Sequence, residues 1–91
     1  MRFQALIDSL ESRSGVYLML SSKAEPIYIG KAKDLKKRLK SYFVGKPSSH
    51  RIGVMLTQVV DLKVMITDSE AAALVLENKL IKSYQPKYNI L

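Results

Sequence analysis

Two groups of residues in this sequence could do chemistry. The first is the run from Ile27 to Phe43, where Lys31, Lys33, Lys36, Lys37, Arg38 and Lys40 face a single acid, Asp34. The run opens on Ile27, Tyr28 and Ile29, a pattern that suits a half-buried strand, and its period changes at Gly30. Leu35, Leu39, Tyr42 and Phe43 then recur at helical spacing, with Asp34 placed to open the helix. A strand that turns at a glycine into a basic helix aims backbone N–H groups and cations at one place, which suits a phosphate. The second group centres on Glu77, in the middle of a helical face formed by Ala73, Leu74, Leu76, Leu80, Ile81 and Tyr84. A carboxylate in an apolar stripe is costly to desolvate unless a cation or hydrogen-bond donors meet it. Glu77 is therefore either half of a buried ion pair with one of the many bases or a metal-binding carboxylate.

The elements that position these groups can be read in order. On the basic helix Leu35, Leu39 and Phe43 share one face, and Arg38 and Tyr42, four apart, sit together along its edge. Lys31 joins that edge if the turn stays roughly helical. Lys33, Lys36, Lys37 and Lys40 read as a solvated face or as contacts to a polyanion. Upstream, Phe3, Leu6, Ile7 and Leu10 predict a short amphipathic helix, ended by Ser12-Arg13-Ser14-Gly15. Val16, Leu18 and Leu20 alternate with Tyr17 and Met19, a strand with one strongly apolar face. Residues 21–25 are a turn, and Pro26 opens the partner strand, where a missing N–H costs least. Cross-strand neighbours share a face, so the hairpin register sets Tyr17 opposite either Tyr28 or Ile29.

Beyond Phe43, a loop over 44–49 precedes a helix marked by Ile52, Met55, Leu56 and Val59 and capped by Ser48 or Ser49, with His50 in its first turn. Leu62, Val64 and Ile66 predict a third strand. Thr67-Asp68-Ser69-Glu70 fits a capping box for the Glu77 helix, which Gln85-Pro86 ends. Lys87-Tyr88-Asn89 then adds polar groups at the end of the chain.

Composition bounds the rest. The 91 residues make one domain with one core and two layers at most. A net charge of +7 points to a polyanion, nucleic acid first and an anionic membrane second. No apolar run is long enough to span a membrane, and the absence of cysteine excludes disulfides and thiolate zinc sites. A cytoplasmic protein fits this usage. The apolar end, Ile90-Leu91, is what a domain cut from a longer protein would show.

Gly15-Val16-Tyr17, Tyr28-Ile29-Gly30, Arg38, Glu77 and Asn89, in this order, resemble the GIY-YIG nuclease family. Gly30 to Arg38, Thr67 to Ala71 and Leu76 to Lys82 resemble more narrowly its UvrC branch, over about Ser14 to Leu91. Val16 stands where the family name has Ile, and Ser14 where a Pro is expected. The resemblance implies an α+β fold, a small, largely antiparallel three-stranded sheet flanked by helices. It implies metal-dependent hydrolysis of a DNA phosphodiester, the 3′ incision beside a lesion in nucleotide excision repair. Glu77 would hold one Mg²⁺ or Mn²⁺ ion, with water and phosphate oxygens completing its shell. Tyr28 would act as general base, Arg38 would steady charge on the phosphate and Lys31 would assist. Tyr17, Tyr42 and Asn89 would shape the site around Gly30. A free tyrosine is a poor base at neutral pH, so Lys31, Arg38 and the metal are expected to lower the pKa of Tyr28. Asp61, Asp68 and Glu70 read as cap and surface, which argues against a two-metal nuclease. The implied partners are damaged double-stranded DNA and UvrB, with UvrA upstream, and no membrane. A basic DNA-binding module without activity and a nuclease for branched DNA are the alternatives.

Overall fold

In the computed structural model, which describes residues 1–90, the chain runs α1 (Gln4–Ser9), β1 (Gly15–Leu20), β2 (Pro26–Ala32), α2 (Leu35–Phe43), α3 (His50–Gln58), β3 (Asp61–Ile66), α4 (Glu70–Tyr84) and α5 (Lys87–Ile90). The strand order is β2-β1-β3 and both pairings are antiparallel, the sheet expected from the sequence. All six residues of the central strand β1 are buried. Successive strand residues face opposite ways, so β1 carries two apolar faces and not one. Tyr17 and Met19 join Ile7, Leu35, Leu39, Met55 and Leu56 in one cluster, under α1, α2 and α3. Val16, Leu18 and Leu20 join Ile29 and Ala73 in a second, under α4.

The expected single core and two layers are thereby corrected. Helices cover both faces of the sheet, because Tyr17 and Met19 are as fully buried as the residues they alternate with. The stripe on α4 is also narrower than the sequence suggests. Ala73, Leu76, Leu80 and Ile81 pack on the sheet, whereas Leu74 and Tyr84 at its margins are exposed.

The starts of α2, α3 and α4 follow side-chain capping, with one displacement. Asp34 accepts from the Lys37 N–H at 3.0 Å and Ser49 from the Ile52 N–H at 3.1 Å. For α4 the cap is Ser69, which accepts from the Ala72 N–H at 3.0 Å, and not Thr67 of the expected box. The Thr67 N–H still bonds the Ser14 carbonyl at 2.9 Å, extending the β1–β3 pairing, so the chain is not free to turn until two residues later. One tether has no sequence signature. The Arg2 guanidinium donates to the carbonyls of Leu56 and Val59 at the end of α3, where a cation also complements the helix dipole.

Gly15 opens β1 opposite Ile66 of β3. A Cβ there would lie 2.3 Å from the Met65 carbonyl oxygen and 2.6 Å from Leu35 Cδ1. Backbone of a paired strand cannot yield, so Gly15→Ala is expected to cost about 1–3 kcal/mol. Urea unfolding checks this, and an unchanged midpoint would contradict the spacing described.

Candidate active site

The β1–β2 register sets Tyr17 opposite Gly30 and Met19 opposite Tyr28, with an irregularity between Met19 and Leu20. Neither expected register, Tyr17 opposite Tyr28 or opposite Ile29, occurs. Tyr17 and Tyr28 nevertheless share a face as diagonal neighbours, their ring centroids 6.2 Å apart. The register has a steric reason: the Tyr17 ring lies across the backbone of Gly30. A Cβ on Gly30 would come within 2.3 Å of Tyr17 Oη and 2.4 Å of Cζ. From α2, Tyr42 meets Tyr17 edge-on, with the two hydroxyl oxygens 2.8 Å apart. Three phenols therefore gather where β2 faces α2.

The chain does not turn at Gly30, as the change of period suggested. β2 continues through Lys31 to Ala32, and Lys33-Asp34 make the turn. Lys31 is thus a strand residue opposite Val16, on the side of the sheet that α4 covers, and it does not share the helix edge of Arg38 and Tyr42.

Glu77 comes from α4 and is partly buried. Among the described residues no cation forms an ion pair with it, so the buried-pair alternative is not realised. Its carboxylate is within electrostatic reach of the Tyr28 phenol. Burial first, then Tyr42 and Glu77, push the Tyr28 phenol above its usual range, with a hydrogen bond from Tyr17 opposing them. Tyr17 is raised further, by burial and then by Tyr42 and Tyr28, against a smaller lowering by the Arg38 guanidinium. Lys31 and Arg38, expected together with a metal to lower Tyr28, are not among the groups that act on it within the chain, where burial, Tyr42 and Glu77 raise it. Arg38 is exposed at the rim, without an ion-pair partner among the described residues.

Asn89 uses both ends of its amide on one residue. The Ile29 N–H donates to Asn89 Oδ1 and Asn89 Nδ2 donates to the Ile29 carbonyl, each at 2.9 Å. β2 is an edge strand, so this amide supplies what a further strand would. It holds the residue between Tyr28 and Gly30.

The four lysines of the basic segment part company. Lys33 and Lys37 line a concavity of about 650 Å³ together with Arg38, Ser12 and Ser41. Tyr17, Tyr28, Tyr42 and Glu77 do not line it, and of the site residues only Arg38 borders both regions. Lys36 Nζ donates to the Asp8 carbonyl at 3.3 Å, tying α2 to the segment of α1. Lys40 is exposed in the last turn of α2. Sequence reasoning passed over Gln58, whose Nε2 donates to Tyr88 Oη at 2.8 Å. No pattern of spacing marks that pair.

The donor set suits a single hard cation. Among the described residues no three His, Asp or Glu side chains cluster, which leaves Glu77 as the carboxylate that the tyrosine cluster offers. One carboxylate suffices for a magnesium-like ion when water and substrate phosphate supply the other oxygens.

Residues 13–90 match the family model of the UvrC-like GIY-YIG domain. The chain belongs to this family. It is 51% identical over 88 residues to UvrABC system protein C of Alkalilimnicola ehrlichii, covering 97% of this chain and 14% of that protein. It is 49% identical over 90 residues to the protein of the same name from Clostridium tetani, covering 98% and 14%. The UvrC-like fold extends to solved structures. The GIY-YIG N-terminal endonuclease domain of UvrC from Thermotoga maritima, bound to magnesium as its catalytic divalent cation, superposes with a TM-score of 0.87. That match has 35% identity and covers 98% of this chain and 97% of the other. The chain thus spans about 14% of the length of these full-length relatives.

The electrostatics of this UvrC-like site are testable without substrate. Glu77→Gln removes one of the influences raising Tyr28, so the Tyr28 phenol should ionise at lower pH than in the unaltered chain. The sign for stability follows. A folded-state pKa above the usual value of about 10 gives stability that is present below that pH and lost as pH rises toward the folded value. Ring-labelled tyrosine NMR over an alkaline titration reads both effects. An unmoved Tyr28 midpoint would show that Glu77 is not beside it.

Proposed function

We propose that this chain is the N-terminal domain of a longer UvrC-type protein and acts as a divalent-metal-dependent endonuclease. Its substrate would be damaged double-stranded DNA, cut on the 3′ side of a lesion in nucleotide excision repair. The observation that carries the reading is the joint placement of Tyr17, Tyr28 and Tyr42 at one end of β2, with the unpaired Glu77 carboxylate and the Arg38 guanidinium within electrostatic reach. Family membership and the magnesium-bound relative support it.

Glu77 would hold one Mg²⁺ or Mn²⁺ ion. Bound there, such an ion supplies Lewis-acid polarisation of a phosphate oxygen and a template for water. Arg38, exposed and unpaired, grips the phosphate through two parallel N–H donors and offsets charge that builds in the transition state. The Tyr28 phenol, within electrostatic reach of Glu77, is held toward its neutral form in the chain alone. It orients water by hydrogen bonding and serves as proton acceptor only where added positive charge offsets burial and Glu77. The Tyr17–Tyr42 hydrogen bond fixes the wall against which Tyr28 rests. Lys31 lies one residue beyond Gly30 and supports the same phosphate electrostatically. Lys33 and Lys37 attract the flanking backbone in a sequence-independent, salt-sensitive way, as does Lys40. Lys36 contributes charge while anchored to Asp8.

Among the described residues no element resembles a base reader, and choice of the damaged site falls to partners. UvrB, with UvrA upstream, is the pairing that the name UvrABC system protein C supports. The setting is the cytoplasm. Among the described residues no helix is long and apolar enough to cross a membrane.

Incision of a lesion-bearing duplex, with partner proteins supplied, tests the proposal. Glu77→Gln and Arg38→Ala should each lower the single-turnover rate by about 10²-fold or more while DNA binding persists. Arg38→Lys should not restore it, since an ammonium cannot make the paired contact. Chelator should abolish cutting. DNA binding by the unaltered protein with no metal-dependent cut would establish a binding module instead. Preference for branched over lesion-bearing DNA would move the substrate within the family.

A further inference from the structure

α5 is four residues long, and a single turn does not hold itself together in water. It must be seated by contacts made elsewhere. Tyr88, at its second position, packs against the cluster under α1, α2 and α3. Its hydroxyl accepts from Gln58 Nε2 at 2.8 Å, and its carbonyl accepts from the Arg51 guanidinium at 2.8 Å. The Arg51 guanidinium also stands 5.7 Å from the centre of the Tyr88 ring. Gln58 is the last residue of α3, a helix that carries none of the proposed site residues and reaches the tyrosines only through packing.

The next residue is Asn89, whose amide holds both backbone groups of Ile29. Ile29 in turn separates Tyr28 from Gly30, the residue beneath the Tyr17 ring. Hydrogen bonds at Tyr88 and at Asn89, joined by the peptide bond between these two residues, therefore link α3 to the edge of β2. Two bonds from one small amide to one residue are demanding in direction, so a modest shift of α5 breaks both. Among the described residues no further strand pairs with the free edge of β2.

We infer that the Gln58–Tyr88 pair is a positioning contact for the hydrolytic site: it seats α5 so that Asn89 grips Ile29 and holds Tyr28 in line with Glu77 and Arg38. This rests on the proposed nuclease reading. Neither Gln58 nor Tyr88 touches substrate, and both act through Asn89.

Tyr88→Phe and Gln58→Met each delete the hydrogen bond while retaining most of the packing. Gln58→Glu restores it in reverse, with the tyrosine hydroxyl donating to the new carboxylate. Single-turnover incision, half-saturation by DNA and amide hydrogen exchange should be measured well below the melting temperature. In Tyr88→Phe and Gln58→Met the rate should fall about tenfold, the scale of a misplaced group. Half-saturation should not change, and the Ile29 amide should lose protection while β1 amides keep theirs. Gln58→Glu should stay within about twofold of the unaltered protein on that scale. An unaltered protein that cuts DNA, alongside Tyr88→Phe and Gln58→Met variants that match it in rate and in Ile29 exchange, would overturn the inference. So would loss of protection spreading to β1, which would make the pair part of the general fold. An unaltered protein that does not cut at all would sink the nuclease reading instead, and the Ile29 exchange would still decide whether the pair positions the strand.

Discussion

The passage of the Tyr17 ring over the backbone of Gly30 is the constraint on which the site depends. Any side chain at position 30 would occupy space that the phenol fills. The contact favours the register that sets Tyr17 opposite Gly30, and this register in turn places Tyr28 diagonally beside Tyr17 on the same face. A slip of one residue would send the whole run of side chains on β2 to the other side of the sheet. The hydrogen bond between the Tyr17 and Tyr42 hydroxyls then ties α2, and with it Arg38, to the same point.

The electrostatic consequence is a cluster that is neutral except at its margins. Burial dominates both Tyr17 and Tyr28, and the opposing influence of Arg38 on Tyr17 is the smallest of the causes acting there. Tyr17 and Tyr28 are both held toward the neutral phenol. Charge enters from two places, the Glu77 carboxylate on α4 and the Arg38 guanidinium on α2. Neither is neutralised by a partner within the described residues. Partial burial leaves Glu77 open to water, which makes an unpaired carboxylate tolerable and keeps its oxygens available.

Much of this arrangement was legible in the sequence, and the parts that were not have physical reasons. Strands and helices were readable because apolar periodicity and caps such as Asp34 and Ser49 act locally. Tyr17, Tyr28, Tyr42 and Asn89 were singled out by the resemblance to the GIY-YIG pattern. The register could not, because the decisive contact joins a ring to a glycine thirteen residues away and leaves no periodic mark. The second apolar face of β1 was hidden by residue type, since Tyr17 and Met19 pass for ordinary strand residues until helices are seen on both sides. Thr67 looked like a cap because its spacing to Glu70 is right, yet its N–H remains engaged with Ser14. The tethers made by Arg2, Lys36 and Gln58 depend on long-range meetings that no local pattern encodes.

The central claim is that Glu77, Tyr28 and Arg38 converge on one divalent ion and one phosphate. A crystal of this chain soaked in Mn²⁺, with diffraction collected at the manganese edge, tests it most directly. The account predicts a single anomalous peak within coordination distance of the Glu77 carboxylate, on the side facing Tyr28. A peak held by other residues, with Glu77 turned away from Tyr28, would contradict it.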